Sequence, residues 1–159
     1  ASEEAVKTHG LAPIARIVDL HWAGLDPAEM GLGPVHAATP LLSRHGLTLD
    51  DLDQWEINEA FAAQVIACLR AWQDDAYCRA HLGTGALGPL DESKLNVDGG
   101  AVAIGHPVGA SGARIVLHLA HSLHQKASQQ PAGKHTPRGM AAICIGGGLG
   151  GAALLEAVQ

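Results

Sequence analysis

Asn96-Val97-Asp98-Gly99-Gly100-Ala101-Val102-Ala103-Ile104-Gly105-His106-Pro107-Val108-Gly109-Ala110-Ser111-Gly112 gathers five glycines and a proline around one histidine, directly ahead of a long apolar helical pattern. Glycine lets the backbone approach a ligand closely and adopt conformations that other residues avoid. Proline fixes the backbone beside the imidazole and removes a donor, so the position of His106 is well determined. A helix starting just beyond adds positive potential, which favours the neutral, proton-accepting imidazole. Near the other end, Ile143-Cys144-Ile145-Gly146-Gly147-Gly148-Leu149-Gly150-Gly151 repeats the arrangement with a thiol. Two glycine-framed reactive side chains suggest an acid–base pair. Exposed N–H groups at Gly146 and its neighbours would suit an oxyanion. The competing reading makes Cys144 a small core hydrophobe, as most cysteines are.

Working outward, alternating strand and helix patterns predict an α/β domain. A helix over 2–9 closes at Gly10 as a C-cap, and a β-prone run covers 15–22. Pro34 starts a helix ending at Gly46. Thr48 to Leu52 forms a capped turn into a strand over 53–58, and a nearly all-apolar helix spans 60–72, buried on most sides. Asn58, between that strand and that helix, is either a helix cap or an amide orienting a ligand at the strand end, where open α/β sheets bind substrates. Residues 73–95 read as a loop excursion, 111–126 as a helix and 127–138 as an exposed loop. Strands over 140–145 and 151–158, joined by the glycine run, close the chain and make the sheet mixed.

Composition narrows the function. The 159 residues are 47% hydrophobic with a net charge of −6, which excludes disorder and offers nucleic acid no electrostatic footprint. No apolar run reaches the roughly 18 residues of a membrane span. Three cysteines without a secretion signal read as thiols of a reducing compartment, the cytoplasm; Cys68 and Cys78 have inert surroundings. His118, His121 and His124 span an arc of about 120° on one helix, the polar edge of an apolar helix rather than a metal site, since no carboxylate or thiol completes a ligand set.

Together, Asn58-Glu59-Ala60-Phe61-Ala62, the glycine–histidine–proline stretch, Cys144-Ile145-Gly146-Gly147-Gly148 and Met30-Gly31-Leu32-Gly33-Pro34 resemble the carboxy-terminal half of a thiolase, in order and spacing over nearly the whole chain. The resemblance implies a thiolase-like α/β fold, a mixed sheet with helices on both faces that here lacks its first strand. Residues 1–159 would be a partial carboxy-terminal domain. It implies acyl transfer between acyl-CoA thioesters through a cysteine acyl-enzyme, with coenzyme A thioesters as substrates, CoA as a partner and no permanently bound cofactor or metal. On that likeness His106 deprotonates the acyl-accepting thiol and helps bind a thioester oxyanion, and Asn58 holds the water completing that site. Cys144 is the second acid/base, the Gly146 N–H serves the other oxyanion site, and Met30 and Phe61 line the pantetheine channel.

The acylated cysteine of the family has no counterpart here, so the resemblance implies a partner amino-terminal half, a homo-oligomer for the complete enzyme, and no turnover by this chain alone. A ketoacyl synthase relative would carry histidines where Asn58 and Cys144 stand. The remaining alternative is a non-catalytic thiolase-like scaffold.

Overall fold

Small residues decide the centre of the molecule. In this computed structural model, which describes residues 1–131 and 135–158, two long strands, β3 (Arg138–Ile145) and β4 (Leu149–Ala157), are buried on both faces and rich in Ala and Gly. The remaining elements are α1 (Glu3–His9), β1 (Ala15–Gly24), α2 (Gly33–His45), β2 (Gln54–Ile57), α3 (Ala62–Gln73), α4 (Asp75–Tyr77), α5 (Ala101–Ile104) and α6 (Ser111–Ser128). The four strands form one mixed sheet in the order β1-β4-β3-β2. β4 is antiparallel to both neighbours, while β2 runs parallel to β3. The α/β class and the mixed sheet follow the sequence reading.

Helices cover both faces. On one, α2 and α3 bury Leu41, Leu42, Val65 and Trp72 against Trp55, Ile57, Met140 and Ala142. Trp55 and Trp72 meet at 5.3 Å between ring centroids. The Trp72 indole donates to Thr39 Oγ1, which itself donates to the Val35 carbonyl. On the other face α6 lays Ile115, Leu119, Leu123 and Ala127 on Ala141, Ala153 and Leu155, an i, i+4, i+8, i+12 stripe. The predicted stops hold: Gly10 and Gly46 end α1 and α2 in the left-handed conformation, and Thr48 donates to Asp51 to form the turn before β2.

Three expectations need correction. The helix expected over 60–72 begins at Ala62 and is buried on one side alone. Ile66 is 49% exposed and, with Ala63, Ala67 and Arg70, forms one wall of an open groove that Leu32 and Tyr77 complete. The excursion over 73–95 is not a loose loop. It contains α4, a π turn (Cys78–Leu82) and a 3₁₀ turn (Glu92–Lys94), pinned by buried Cys78 and Leu90. Finally, the last strand starts at Leu149, because Gly150 and Gly151 pair with Cys144 and Ile143. The expected loop over 127–138 is partly α6, and its residues 132–134 lie outside the described part.

Candidate active site

β2 and β3 end side by side. The Asn58 N–H donates to the Ala142 carbonyl at 2.9 Å, so the end of β2 is locked to β3 two residues before Cys144. This is the carboxyl end of the parallel pair, where α/β sheets present their ligand sites. Gln54, Glu56 and Asn58, all buried, form the row of β2 that turns toward α6.

The histidine segment folds over that end. Gly99 and Gly105 take φ +85° and +91°, which a residue with a Cβ adopts only at a cost. Pro107 O accepts from Ala110 N, Ser111 N and Ser111 Oγ, and the Arg114 guanidinium donates to Gly105 O at 2.8 Å. Both flanks of His106 are therefore fixed. Its Nε2 lies 3.4 Å from Asn58 Nδ2, and its Nδ1 lies 2.6 Å from Ser111 Oγ. All of these contacts are satisfied together when Nδ1 carries the proton. The Ser111 hydroxyl then donates to Pro107 O, Nδ1–H donates to Ser111, and the Nε2 lone pair faces the Asn58 amide. A neutral imidazole held this way is a base at Nε2. Buried Asn58 Oδ1 has no hydrogen-bond partner among the described residues.

Asn58 does not cap α3. Phe61 occupies that position and offers no side-chain cap. The helix starts too far along for the Asn58 amide to serve its first N–H groups, which removes the bland reading of Asn58.

Cys144 stands on the opposite face of β3, in the row of Met140 and Ala142, and is 7% exposed. Burial pushes its thiol pKa up, and a backbone hydrogen bond opposes that. At neutral pH the group is thus a protonated thiol, suited to returning a proton rather than to acting as a resting thiolate nucleophile. Alkylation of Cys144 by iodoacetamide should accordingly be slow at pH 7 and accelerate as pH rises past 9. Rapid labelling at neutral pH would contradict the protonated state. No hydrogen bond joins Cys144 to His106 or Asn58 among the described residues. The structure brings Asn58 and His106 into contact, and brings Cys144 to the same sheet end from the other side.

Gly146 follows β3 at the surface, where a Cβ would meet nothing within 4 Å. Met30 is half-buried in a 3₁₀ helix (Pro27–Leu32) that packs on α3, and Phe61 stands 63% exposed at the start of α3. Cys68 donates to Gly31 O and has its pKa pushed up to about 12 by burial. Cys78 is buried and donates to Ala71 O. Neither thiol faces the histidine.

Sequence reasoning missed four supporting residues. Ser111 orients His106. The Asn96 side chain mimics a strand partner, accepting from Ile57 N and donating to Ile57 O, both at 2.9 Å. Glu59 accepts from Asn96 Nδ2 and from Val102 N, tying the glycine loop to the end of β2. His118 is half-buried, its ring held between Glu56 and Asp98; His121 and His124 are exposed. A hint lay in the carboxylate placed beside Asn58, but its partners are 37 and 43 residues away in sequence.

The profile of the thiolase C-terminal domain matches residues 11–157. Human mitochondrial 3-ketoacyl-CoA thiolase is 42% identical over 156 residues, covering 98% of this chain and 33% of that protein. An acetyl-CoA acetyltransferase of Syntrophomonas wolfei is 41% identical over 159 residues, covering 99% of this chain and 34% of that protein. Among solved structures, the Bacillus anthracis acetyl-CoA acetyltransferase superposes with a TM-score of 0.78 at 39% identity, covering 99% of this chain and 34% of that one. Human mitochondrial 3-ketoacyl-CoA thiolase in complex with CoA superposes with a TM-score of 0.77 at 42% identity, over 100% of this chain and 34% of that one. The chain spans about a third of the length of these relatives. No described helix is long and apolar enough to cross a membrane.

Proposed function

Because the chain belongs to the thiolase family, as its C-terminal domain, we propose that it supplies the acid–base half of an acyl transfer between acyl-CoA thioesters. The reaction is thiolysis of a 3-oxoacyl-CoA or, in reverse, Claisen condensation of acetyl-CoA. Covalent catalysis splits this reaction into two easier steps. In thiolysis a cysteine outside residues 1–159 gives its proton to His106 Nε2 and attacks the 3-oxo carbon. The C2–C3 bond breaks, and the departing acetyl-CoA enolate takes a proton from Cys144. CoA thiol then gives its proton to the Cys144 thiolate and attacks the acyl-cysteine, whose departing thiolate takes its proton back from His106, releasing an acyl-CoA two carbons shorter.

The observation that carries this reading is the chain of contacts Asn58 Nδ2 to His106 Nε2 and His106 Nδ1 to Ser111 Oγ. It fixes a base with its lone pair at the carboxyl end of the sheet. Asn58 holds the water that, with His106, binds the first thioester oxyanion, and the Gly146 N–H serves the second. Donors aimed at developing charge commonly supply the largest share of rate enhancement. Met30 and Phe61 line the pantetheine channel. Residues 1–159 act as the carboxy-terminal domain of a longer homo-oligomeric enzyme. Its three unpaired thiols suit a reducing compartment such as the cytoplasm.

The test is an acetoacetyl-CoA thiolysis assay on residues 1–159 alone and on a polypeptide or mixture that adds the amino-terminal two-thirds of a thiolase. The chain alone should read background and the complete protein should turn over. Turnover by 1–159 alone would sink the reading, and a complete protein that binds acyl-CoA without turning it over would make the domain a scaffold.

A further inference from the structure

Three buried side chains on β2 meet three on α6 or just ahead of it, rung by rung. Gln54 Oε1 accepts from Ser122 Oγ at 2.5 Å. Glu56 Oε1 lies 3.0 Å from His118 Nδ1. Asn58 Nδ2 reaches His106, which is bonded to Ser111. Positions 54, 56 and 58 share a strand face, and 111, 118 and 122 share a helix face. The middle rung extends further, since His118 Nε2 lies 3.0 Å from Asp98 Oδ2. Asp98 belongs to the loop that ends at His106. The first and last rungs are local, whereas the middle one ties three elements together: β2, α6 and the histidine loop.

Building on the acyl-transfer reading, we propose that His118 is a positioning residue. Held between Glu56 on β2 and Asp98 in the loop, it sets the alignment of His106 with Asn58 without touching substrate.

Each imidazole nitrogen of His118 lies 3.0 Å from a carboxylate oxygen. Glu56 is 3% exposed, and both partners of His118 are carboxylates, which accept and do not donate when ionised. The ring therefore bridges a buried carboxylate on β2 and an exposed one in the loop. The other charged group lining the same small cavity is Arg114, whose guanidinium is engaged by Gly105 O. Gln54 also donates to Glu56 Oε1 at 3.1 Å. Burial raises the Glu56 pKa, and Gln54 and His118 oppose that. A half-buried polar rung of this kind is weak evidence for stability, so its effect is read in loop geometry.

Two variants of the complete enzyme separate positioning from folding. Asp98 is mostly exposed (70% for its side chain), so D98A removes the loop tie without unfolding anything. The E56L/H118L pair replaces the buried carboxylate and the half-buried imidazole with apolar side chains of similar reach, and exchanges of buried polar pairs for apolar ones are often neutral or stabilising. Both variants should melt close to wild type. Both should lower kcat by about 10-fold or more, leave KM for acyl-CoA within about 2-fold, and speed amide exchange across residues 99–106 by about 10-fold relative to β3 and β4.

Wild-type kcat and wild-type loop protection in both variants would overturn the proposal. Loosened loops in an enzyme whose wild-type form shows no acyl transfer would uphold the clamp and overturn the acyl-transfer reading. Should the double variant fail to fold, D98A alone decides by the same two readouts.

Discussion

Replacing His106 by alanine in the complete enzyme is expected to lower kcat for acetoacetyl-CoA thiolysis by about 10⁴-fold, with KM changed less than about 3-fold. General base catalysis contributes roughly 10²–10⁴, and loss of one oxyanion donor costs about 10²–10³ more. Both roles fall on one ring, and effects within a unit do not add fully. KM stays because the contact is made in the transition state rather than on binding. Asn58→Asp is the sharper companion. The side chain keeps its size but presents an anion 3.4 Å from Nε2. A carboxylate there stabilises the imidazolium, so the acid limb of the rate profile moves to higher pH and activity near neutrality falls. Asn58→Ala removes the donor without adding charge, so its profile keeps the wild-type limb at a lower height. If all three proteins acylate and turn over at wild-type rates, the base lies elsewhere.

The sequence carried the fold class and the fixed position of His106 through local chemistry, whereas the pairing of Asn58 with His106 came from the family resemblance. Gly105 and Pro107 mark a backbone that holds one side chain still, and that information lies within three residues. Gly10 and Gly46 stop helices for the same local reason. What stayed illegible depends on partners supplied by the sheet. Ser111 reads as a helix start, yet its buried hydroxyl serves the imidazole five residues earlier. His118 reads as the polar edge of an apolar helix, because Glu56 lies 62 residues away and nothing in the periodicity names it. Helix α3 shows the opposite failure. Its composition predicts burial all round, but periodicity cannot say how many neighbours are present, and Ile66 and Ala67 face the open groove.

The glycine run after Cys144 tests how far a catalytic reading of glycine extends. Gly146 lies exposed just past the strand end, whereas Gly150 is packed against backbone. A Cβ there would drive into the backbone of Gly33, and a Cβ on Gly33 would come within 2.6 Å of Leu149 O. These two glycines let α2 begin directly on the edge of the β3–β4 hairpin, a close backbone approach that no other residue permits. Gly150→Ala should therefore destabilise the complete enzyme by about 3 kcal/mol or more, because neither backbone can yield and overpacking costs of this kind reach the upper end of single-substitution effects. Gly151→Ala supplies the comparison. Its Cβ would meet the Trp22 ring at 2.6 Å, and a ring 69% exposed in this chain can swing aside. The cost should stay near 1 kcal/mol. Urea denaturation read by tryptophan fluorescence measures both, with unchanged slopes required for a valid comparison. Equal midpoints for the two variants would show that the α2 contact is not what Gly150 protects.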